Sequence, residues 1–372
     1  MKKVLIIRGS SISPDPRVEK IAYSLYRNGF NVEILGWDRE KKHPINERRN
    51  SYSIHRFPFR SSYGNIRTVF KMMFWWIYEL LFILRNKSDI LHVCGFDSLV
   101  PIPFVRIFSK KKIVYDIFDF YADILPLSIP ARIRKVVAVI ERYLLNFTDS
   151  IIIVDDIRRE EIGKVTVPVE IIMNSPLDLI IPNSFNEKWE SPLIFYAAQF
   201  SYINLRAFQI ISKAVAKMSN VTLEFAGWGP ATQEIIKIAE SLDNVDFVGR
   251  LSHLEVMKRS ARSNLLIALY DPRVPIHRLA SPNKLFEAMA ASKPIIMNSE
   301  ILISKIILQE QCGLVIDFEN LAGLRSAINT IITNKKLAEA MGKRGRRAYE
   351  TKYSWKIMEE RLFRVYNNLI NS

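Results

Sequence analysis

Cysteine is nearly absent. Cys94 in ILHVCG and Cys312 in CGLVID are the only two, and each lies in an apolar run that reads as a strand. A disulfide framework and a thiolate metal site are thereby excluded, and buried structural thiols in a reducing, cytosolic setting are expected. Acidic residues are in deficit, 38 against 53 lysines and arginines, for a formal charge of +15. Between Arg39 and Lys112 the count is 15 basic to 5 acidic, so the excess sits in the first half. Polyanions, anionic lipid headgroups and phosphorylated small molecules are the partners such charge favours. No nucleic-acid module accompanies it, so nucleic acid is not expected as a partner. The chain also lacks any Asp-x-Asp, the usual local signature of a metal-held diphosphate, and any Gly-x-Ser-x-Gly elbow. Neither a metal, a cofactor nor a hydrolytic serine triad is therefore expected. The opening apolar run of MKKVLIIRGSS is too short for a signal peptide and continues as a strand and turn.

What is present is a globular composition, 49% hydrophobic and 24% charged, in a chain of 372 residues. That length exceeds what one core usually serves, so two domains are expected. KKVLIIR, DPRVEKIAYSLYRNG and FNVEILGW read as strand, helix and strand, the helix carrying Val18, Ile21, Ala22 and Leu25 on one face and closing at Gly29. DILHVCG, KKIVYDI, SIIIVDD and VEIIMN continue the alternation, which predicts a doubly wound α/β domain over residues 1–182. LDLIIPNSFNEKWESP has no periodicity and reads as a linker. LIFYAAQ, VTLEFAG, VDFVG, NLLIALY, KPIIMN and CGLVID then repeat the pattern over residues 183–353, and helices fill the remainder. Ligand crevices are expected beyond the carboxyl ends of both sets of strands.

The run from Thr68 to Leu84 carries only Lys71 and Glu79 as charges. It falls short of the roughly 20 apolar residues of a spanning helix. A membrane span, a domain helix packed on the core and a helix lying on a membrane surface all remain open. Trp75 and Trp76, with Arg67, Lys71, Arg85 and Lys87 around them, suit the interfacial position.

SPNKLFEAMAASKPII, from Ser281 to Ile296, concentrates the chemistry. With Ser281 as N-cap and Pro282 at the first helical position, the free backbone donors of Asn283 and Lys284 point outward. A helix N-terminus with a lysine beside it suits a phosphate or pyrophosphate. Glu287 lies one turn on, on the same face, where it can accept from ribose hydroxyls. The plainer alternative is a capped helix with an exposed Lys284–Glu287 pair worth about 0.2–0.5 kcal/mol. FAGWGP, with Gly227 and Gly229 leaving a strand toward a helix, adds a second phosphate-compatible turn.

These stretches, with the strand YAAQ and the opening IIRGSSISPDPRVEKIAYSLYRNGFNVEILGW, resemble the retaining, nucleotide-sugar-dependent glycosyltransferases of the GT-B fold, family 4 or group 1, over nearly the whole chain. The resemblance implies two facing Rossmann-like doubly wound domains. The first would be the acceptor side, the second the donor side, and a C-terminal helix, residues 354–372, would cross back to the first. It implies that Glu287 binds the donor ribose, that Ser281, Pro282, Asn283 and Lys284 hold the diphosphate, and that Gly227 and Gly229 line the nucleotide. Arg250 would read the base edge. Gly9, Ser10 and Ser11 would meet the diphosphate, with Arg17 and the loop around Asp119 near the acceptor. Leu279 stands where the first glutamate of the family's E-x7-E pattern would be, and Ala198, Gln199 and Asn204 stand in the region of its usual basic pair. Arg206, Arg273, His277, Arg278 or Lys284 are the cations at hand to replace that charge.

The function implied is sugar transfer with retention from a nucleotide diphosphate donor to a lipid-linked or polysaccharide acceptor, without metal, by a cytoplasmic protein peripheral on an anionic membrane surface. The alternative is a noncatalytic GT-B-like protein binding glycan or a partner, in keeping with Gln199 and Asn204. Asp116, Asp119 and Asp123 in DIFDFYAD read equally as a solvated loop or as acceptor-side acids. His92, within a strand, reads as a satisfied core residue. His277, in the loop before the donor helix, is the histidine more suited to function.

Overall fold

The computed structural model describes residues 1–61, 66–125, 129–179 and 192–371. The expected boundary between Pro182 and Asn183, most of the linker and the side chain of Arg67 lie outside the described residues. The chain divides into two compact units, residues 1–173 with 359–372, and residues 174–358.

The first unit runs β1 (Lys3–Arg8), α1 (Pro16–Arg27), β2 (Asn31–Trp37), β3 (Asn46–Arg48), β4 (Ser53–Phe57), α2 (Ile66–Arg85), β5 (Ile90–Cys94), α3 (Ile102–Phe108), β6 (Lys112–Ile117), α4 (Tyr121–Ile124), α5 (Ala131–Leu144), β7 (Ser150–Ile153), α6 (Arg159–Ile162) and β8 (Val169–Ile171). Its sheet has the order β3-β4-β2-β1-β5-β6-β7-β8, parallel except for the β3–β4 pairing. Val4 to Ile7 and Ile151 to Ile153 are fully buried, because a parallel strand covered on both sides must be apolar at every position. The helix read from Val18, Ile21, Ala22 and Leu25 is α1, with those four buried and Asp15 capping it from its side chain to Val18 N at 3.4 Å. The β3–β4 pair was not anticipated. It is short and polar, and Arg56 holds it with Nη1 on the Pro44 carbonyl and Nη2 on Glu47.

The run read as apolar around Trp75 is α2, and the expectation that Trp75 and Trp76 take an interfacial position is corrected. Trp75 is fully buried and stacks on Trp37 at 5.7 Å, and both Trp75 and Trp76 donate Nε1–H to the Asp97 carbonyl. Their indole N–H groups thus find partners inside the unit, not among headgroups. Glu79 is also buried, and burial, with the Asp97 carboxylate adding to it, pushes its pKa well above the usual carboxylate range. Among the described residues, no helix is long and apolar enough to cross a membrane.

The second unit runs β9 (Leu193–Gln199), α7 (Leu205–Val215), β10 (Thr222–Trp228), α8 (Thr232–Glu240), β11 (Val245–Phe247), α9 (His253–Arg262), β12 (Leu265–Ala268), α10 (Pro275–Arg278), α11 (Asn283–Ala290), β13 (Ile295–Asn298), α12 (Lys305–Glu310), β14 (Gly313–Ile316), α13 (Leu321–Thr333), α14 (Lys335–Ala348) and the start of α15 (Trp355–Asn371). Its six strands are parallel in the order β11-β10-β9-β12-β13-β14. From residue 359 onward α15 belongs to the first unit, where Tyr366 is fully buried and its hydroxyl meets His92 Nδ1 at 2.8 Å. His92 is therefore the satisfied core residue its strand position suggests. Both cysteines are buried and unpaired in disulfides.

Candidate functional site

In each sheet, successive connections lead outward in opposite directions from one point, between β1 and β5 in the first unit and between β9 and β12 in the second. Chains diverging at the carboxyl ends of two such strands leave a crevice, the usual ligand position in doubly wound folds.

In the second unit the loop after β12 leads through α10 to α11. The helix starts one residue later than expected. Pro282, with φ −73° and ψ 134°, is the residue before the helix and Asn283 the first within it. Ser281 does not cap: its hydroxyl is shielded from solvent and makes no hydrogen bond. Asn283 is exposed, so the N-terminal turn is open. The body of the helix is fixed by Leu285, Phe286 and Ala288, all fully buried, and losing a buried Phe side chain typically costs about 3–5 kcal/mol.

Lys284 does not pair with Glu287. Its Nζ donates to the Tyr270 hydroxyl at 3.2 Å and lies 5.0 Å from the Tyr196 ring centre and 5.3 Å from that of Tyr270. Two ring faces that attract a cation hold the ammonium at the mouth of α11. Burial, with the Glu287 carboxylate adding to it, pushes the Tyr270 pKa up, so the phenol stays protonated. The main chain of Tyr270 is clamped by Asn298, which accepts from its N–H at 2.9 Å and donates to its carbonyl at 3.1 Å. Glu287 is 6% exposed, with Oε1 3.4 Å from His253 Nε2. His253 opens α9, whose start is set by a capping box between Ser252 and Glu255. Tyr196, Tyr270 and His253 escaped the sequence reading. Tyr196 lies within, and Tyr270 ends, a run that reads only as a buried strand, and His253 reaches Glu287 by packing of one helix on another.

The other expected residues of the second unit lie after β9, at the end of β10, after β11 and in the loop after β12. Gly227 and Gly229 lie where β10 passes close to the end of β9: a Cβ on Gly227 would collide with the Ala198 carbonyl oxygen, and one on Gly229 with that of Phe200. Their smallness serves first the close approach of two backbones. Arg250, exposed, sits 4.6 Å over the ring of Trp228, which makes a flat cationic and aromatic platform at the strand end. Asn204 donates to the Gln199 carbonyl at 3.1 Å, so the polar residues in the region of the family's basic pair bond each other.

Arg206 reaches Asp271 at 3.3 Å and also pairs with Glu319, while Arg273 donates to Asp271 at 2.7 Å. Burial would raise the Asp271 pKa, but the hydrogen bonds from Arg273 and Arg206 outweigh it and bring it to about 2. These two arginines thus face carboxylates already. His277 is buried, with Nδ1 donating to the Asp271 carbonyl at 3.0 Å, and burial lowers its pKa, so the ring is neutral near pH 7.

In the first unit, Gly9 and Ser10 follow β1. A Cβ on Gly9 would collide with the Asp97 carboxylate, and Ser10 Oγ donates to Asp15 at 3.2 Å. Arg8 lies 4.3 Å over Phe118 and Arg39 3.7 Å over Trp37, with Arg39 3.5 Å from Asp97. Arg17, expected near the acceptor, is instead buried and doubly bonded to Asp116 at 2.8 and 3.0 Å, with Nη1 on the Ile172 carbonyl. The side chains of His92, Cys94 and Asp116 come within 4.8 Å of one another, but Arg17 and Tyr366 engage Asp116 and His92 and close the group as a core network. Asp119 is partly exposed and accepts from Arg158 at 2.6 Å.

Residues 181–348 match the family described as Glycosyl transferases group 1. The fold is GT-B: the chain superposes over its full length on sucrose-phosphate synthase from Thermosynechococcus elongatus, with TM-score 0.82, 15% identity and 100% of each chain covered. A UDP-forming α,α-trehalose-phosphate synthase from Burkholderia xenovorans gives TM-score 0.74 at 10% identity, again with 100% of each chain covered. A TarM variant from S. aureus, in complex with fondaparinux, α-GlcNAc-glycerol and UDP, gives 0.70 at 12% identity with the same coverage. No curated protein matches the chain. These findings define a GT-B fold whose residues 181–348 match the group 1 glycosyltransferase pattern. The matched residues include Lys284 and Glu287 and most of the second unit.

Proposed function

We propose that this protein is a glycosyltransferase that moves a sugar, with retention, from a nucleotide diphosphate donor to a lipid-linked or polysaccharide acceptor, without a metal and at the cytoplasmic face of a membrane. The observation that carries the reading is the mouth of α11, where an open helical turn, the unpartnered Ser281 hydroxyl and the Lys284 ammonium between two tyrosines converge beside a buried carboxylate. The first three suit a diphosphate and the carboxylate suits a ribose diol. Pro282 and Asn283 set the turn, Gly227 and Gly229 let β10 lie close against the end of β9, and Arg250 on Trp228 offers the base a stacking surface. UDP in the TarM complex and the UDP-forming synthase support a nucleoside diphosphate as leaving group.

In transfer, the bond from the anomeric carbon to the diphosphate oxygen breaks while the acceptor oxygen bonds to the same face of that carbon. The acceptor proton passes to the departing phosphate oxygen. The chain's part is to stabilise charge growing on that oxygen, and each preorganised donor is worth on the order of 3 kcal/mol of barrier. Neutral His277, whose Nδ1–H is taken by the Asp271 carbonyl, offers Nε2 as an acceptor to a sugar hydroxyl. In the first unit, Gly9 and Ser10 serve the diphosphate and Asp119 the acceptor, with Arg17 acting through Asp116.

A second reading, a noncatalytic binder, is favoured by the Asn204–Gln199 bond and by the engagement of Arg206 and Arg273 with carboxylates. A thermal-shift screen of nucleotide sugars, followed by NMR of the product's anomeric proton, separates the two. Stabilisation with a retained anomeric configuration is expected. Stabilisation with neither transfer nor hydrolysis selects the binder, and an inverted product removes the retaining mechanism.

A further inference from the structure

Helices α2, α3 and α5 of the first unit send their inner residues into one core cluster on one side of the sheet, through Trp75 and Ile83, Ile102 and Val105, and Leu144. Their outer sides therefore face the same way, away from the sheet. On α2 that outer side carries Phe70, Met73, Phe74, Ile77, Leu81 and Leu84, spaced by three and four residues and all exposed, Phe70 to 67%. On α3, Ile107 and Phe108 are 71% and 69% exposed, with Phe104 a turn earlier. On α5 the row continues with Ile133, Val136, Ile140 and Tyr143. Apolar rows on three helices packed on one core exceed the scattered exposed residues normal for a folded chain.

The charge on these helices has one sign. Their only acids, Glu79 and Glu141, are both buried, while Arg85, Arg132, Lys135 and Arg142 are exposed. Just past α3, Lys110 and Lys112 line a cavity of about 360 Å³ together with Lys2, whose partner there is Asp89. Apolar side chains bordered by cations, with no exposed acid on the helices, match a surface of acyl chains beneath anionic headgroups. A second copy would bring the same cations against their like, and the chain as a whole carries +15.

We propose that the outer face of α2, α3 and α5 is a docking surface for an anionic phospholipid bilayer, with the apolar rows entering the interface and Arg132, Lys135 and Lys110 meeting headgroups. The helices would lie on the membrane without crossing it. The assignment rests on the membrane-working transferase reading only for what docking accomplishes, namely bringing the enzyme to a lipid-linked acceptor.

The test is cosedimentation of the full chain with vesicles of phosphatidylcholine alone or mixed with phosphatidylglycerol, for the parent and three double variants: Phe74→Ser with Ile77→Ser, Ile107→Ser with Phe108→Ser, and Arg132→Glu with Lys135→Glu. The parent is expected to bind the mixed vesicles about tenfold better than the neutral ones, and each variant to lose about tenfold. Urea unfolding of the variants, unchanged from that of the parent, shows that they fold. Absence of nucleoside diphosphate binding from the parent would remove the transferase reading while leaving the vesicle result standing. Variants that bind vesicles like the parent, or a parent that ignores them, overturn the docking surface. So does a parent dimer that the serine variants convert to monomer without loss of vesicle binding, which would assign the face to a second copy.

Discussion

His253 Nε2 and Glu287 Oε1 lie 3.4 Å apart across two helices, His253 at the first position of α9 and Glu287 in the second turn of α11. A carboxylate so buried and so partnered has one direction in which it can accept further hydrogen bonds. Replacing it by Gln keeps the shape and removes the charge. Since hydrogen bonds to charged groups contribute about 1.5–3 kcal/mol, Glu287→Gln should weaken nucleoside diphosphate binding by roughly 10- to 100-fold. His253→Ala should cost only severalfold, because the carboxylate remains. Calorimetric titration of both variants measures this, and equal affinity in Glu287→Gln removes Glu287 from the site.

Lys284 is expected to act more on turnover than on binding. Its ammonium, held between Tyr196 and Tyr270, neutralises charge that appears only as the diphosphate leaves. Lys284→Ala should therefore lower kcat by on the order of a hundredfold, with a smaller change in donor KM. Tyr270→Phe, which deletes one hydrogen bond and keeps the ring, should cost far less. Steady-state kinetics with saturating acceptor decides it, and a loss confined to KM would contradict the role.

Gly229→Ala should destabilise the second unit, because the added methyl collides with the Phe200 carbonyl oxygen and β10 must move off β9. Overpacking of this kind typically costs about 1–3 kcal/mol. Gly163, with nothing within 4 Å of where its Cβ would stand but a φ of 68°, isolates the conformational part of such a change. Denaturant unfolding of Gly229→Ala and Gly163→Ala should show the first as the less stable.

Glu141 gives the first unit a pH dependence. Burial raises its pKa to about 7, although the Tyr115 hydroxyl and the Tyr121 N–H, each donating to it, pull the other way. An acid whose folded pKa lies above its unfolded value contributes stability that is fully present below the unfolded pKa, near 4.5, and is lost as pH rises through 7. Glu141→Gln cannot titrate. Between pH 4.5 and 7 its unfolding free energy should fall less with pH than that of the parent, as measured by urea unfolding at several pH values.

Much of the fold is legible in the chain because parallel strands buried on both sides must be apolar without interruption. KVLIIR, ILHVC, KIVYDI and LIFYAAQ announce themselves in this way, and all are strands. SIHRF does not: β4 pairs with polar β3 and is secured by the side chain of Arg56, a long-range contact with no local signal. At the site, the Ser281 to Glu287 segment was visible from its Ser-Pro start. What surrounds it was not, since Tyr196, Tyr270 and His253 come from three other elements and only their packing brings them near α11. The same holds for the exposed rows of α3 and α5. A row of Phe, Ile and Val reads as core until the neighbours are known to lie on its other side.

The hydrogen bond between Tyr366 and His92 joins positions 274 residues apart in sequence. At ribosomal speeds of roughly 5–20 residues per second, about a quarter of a minute to one minute separates the synthesis of the two partners. During that interval the earlier sheet has left the exit tunnel without the helix that covers His92, whereas residues 174–358 hold every strand of their own sheet before the final turns are made. The nascent chain thus completes its later half first, and its opening strands wait for a lid from the tail.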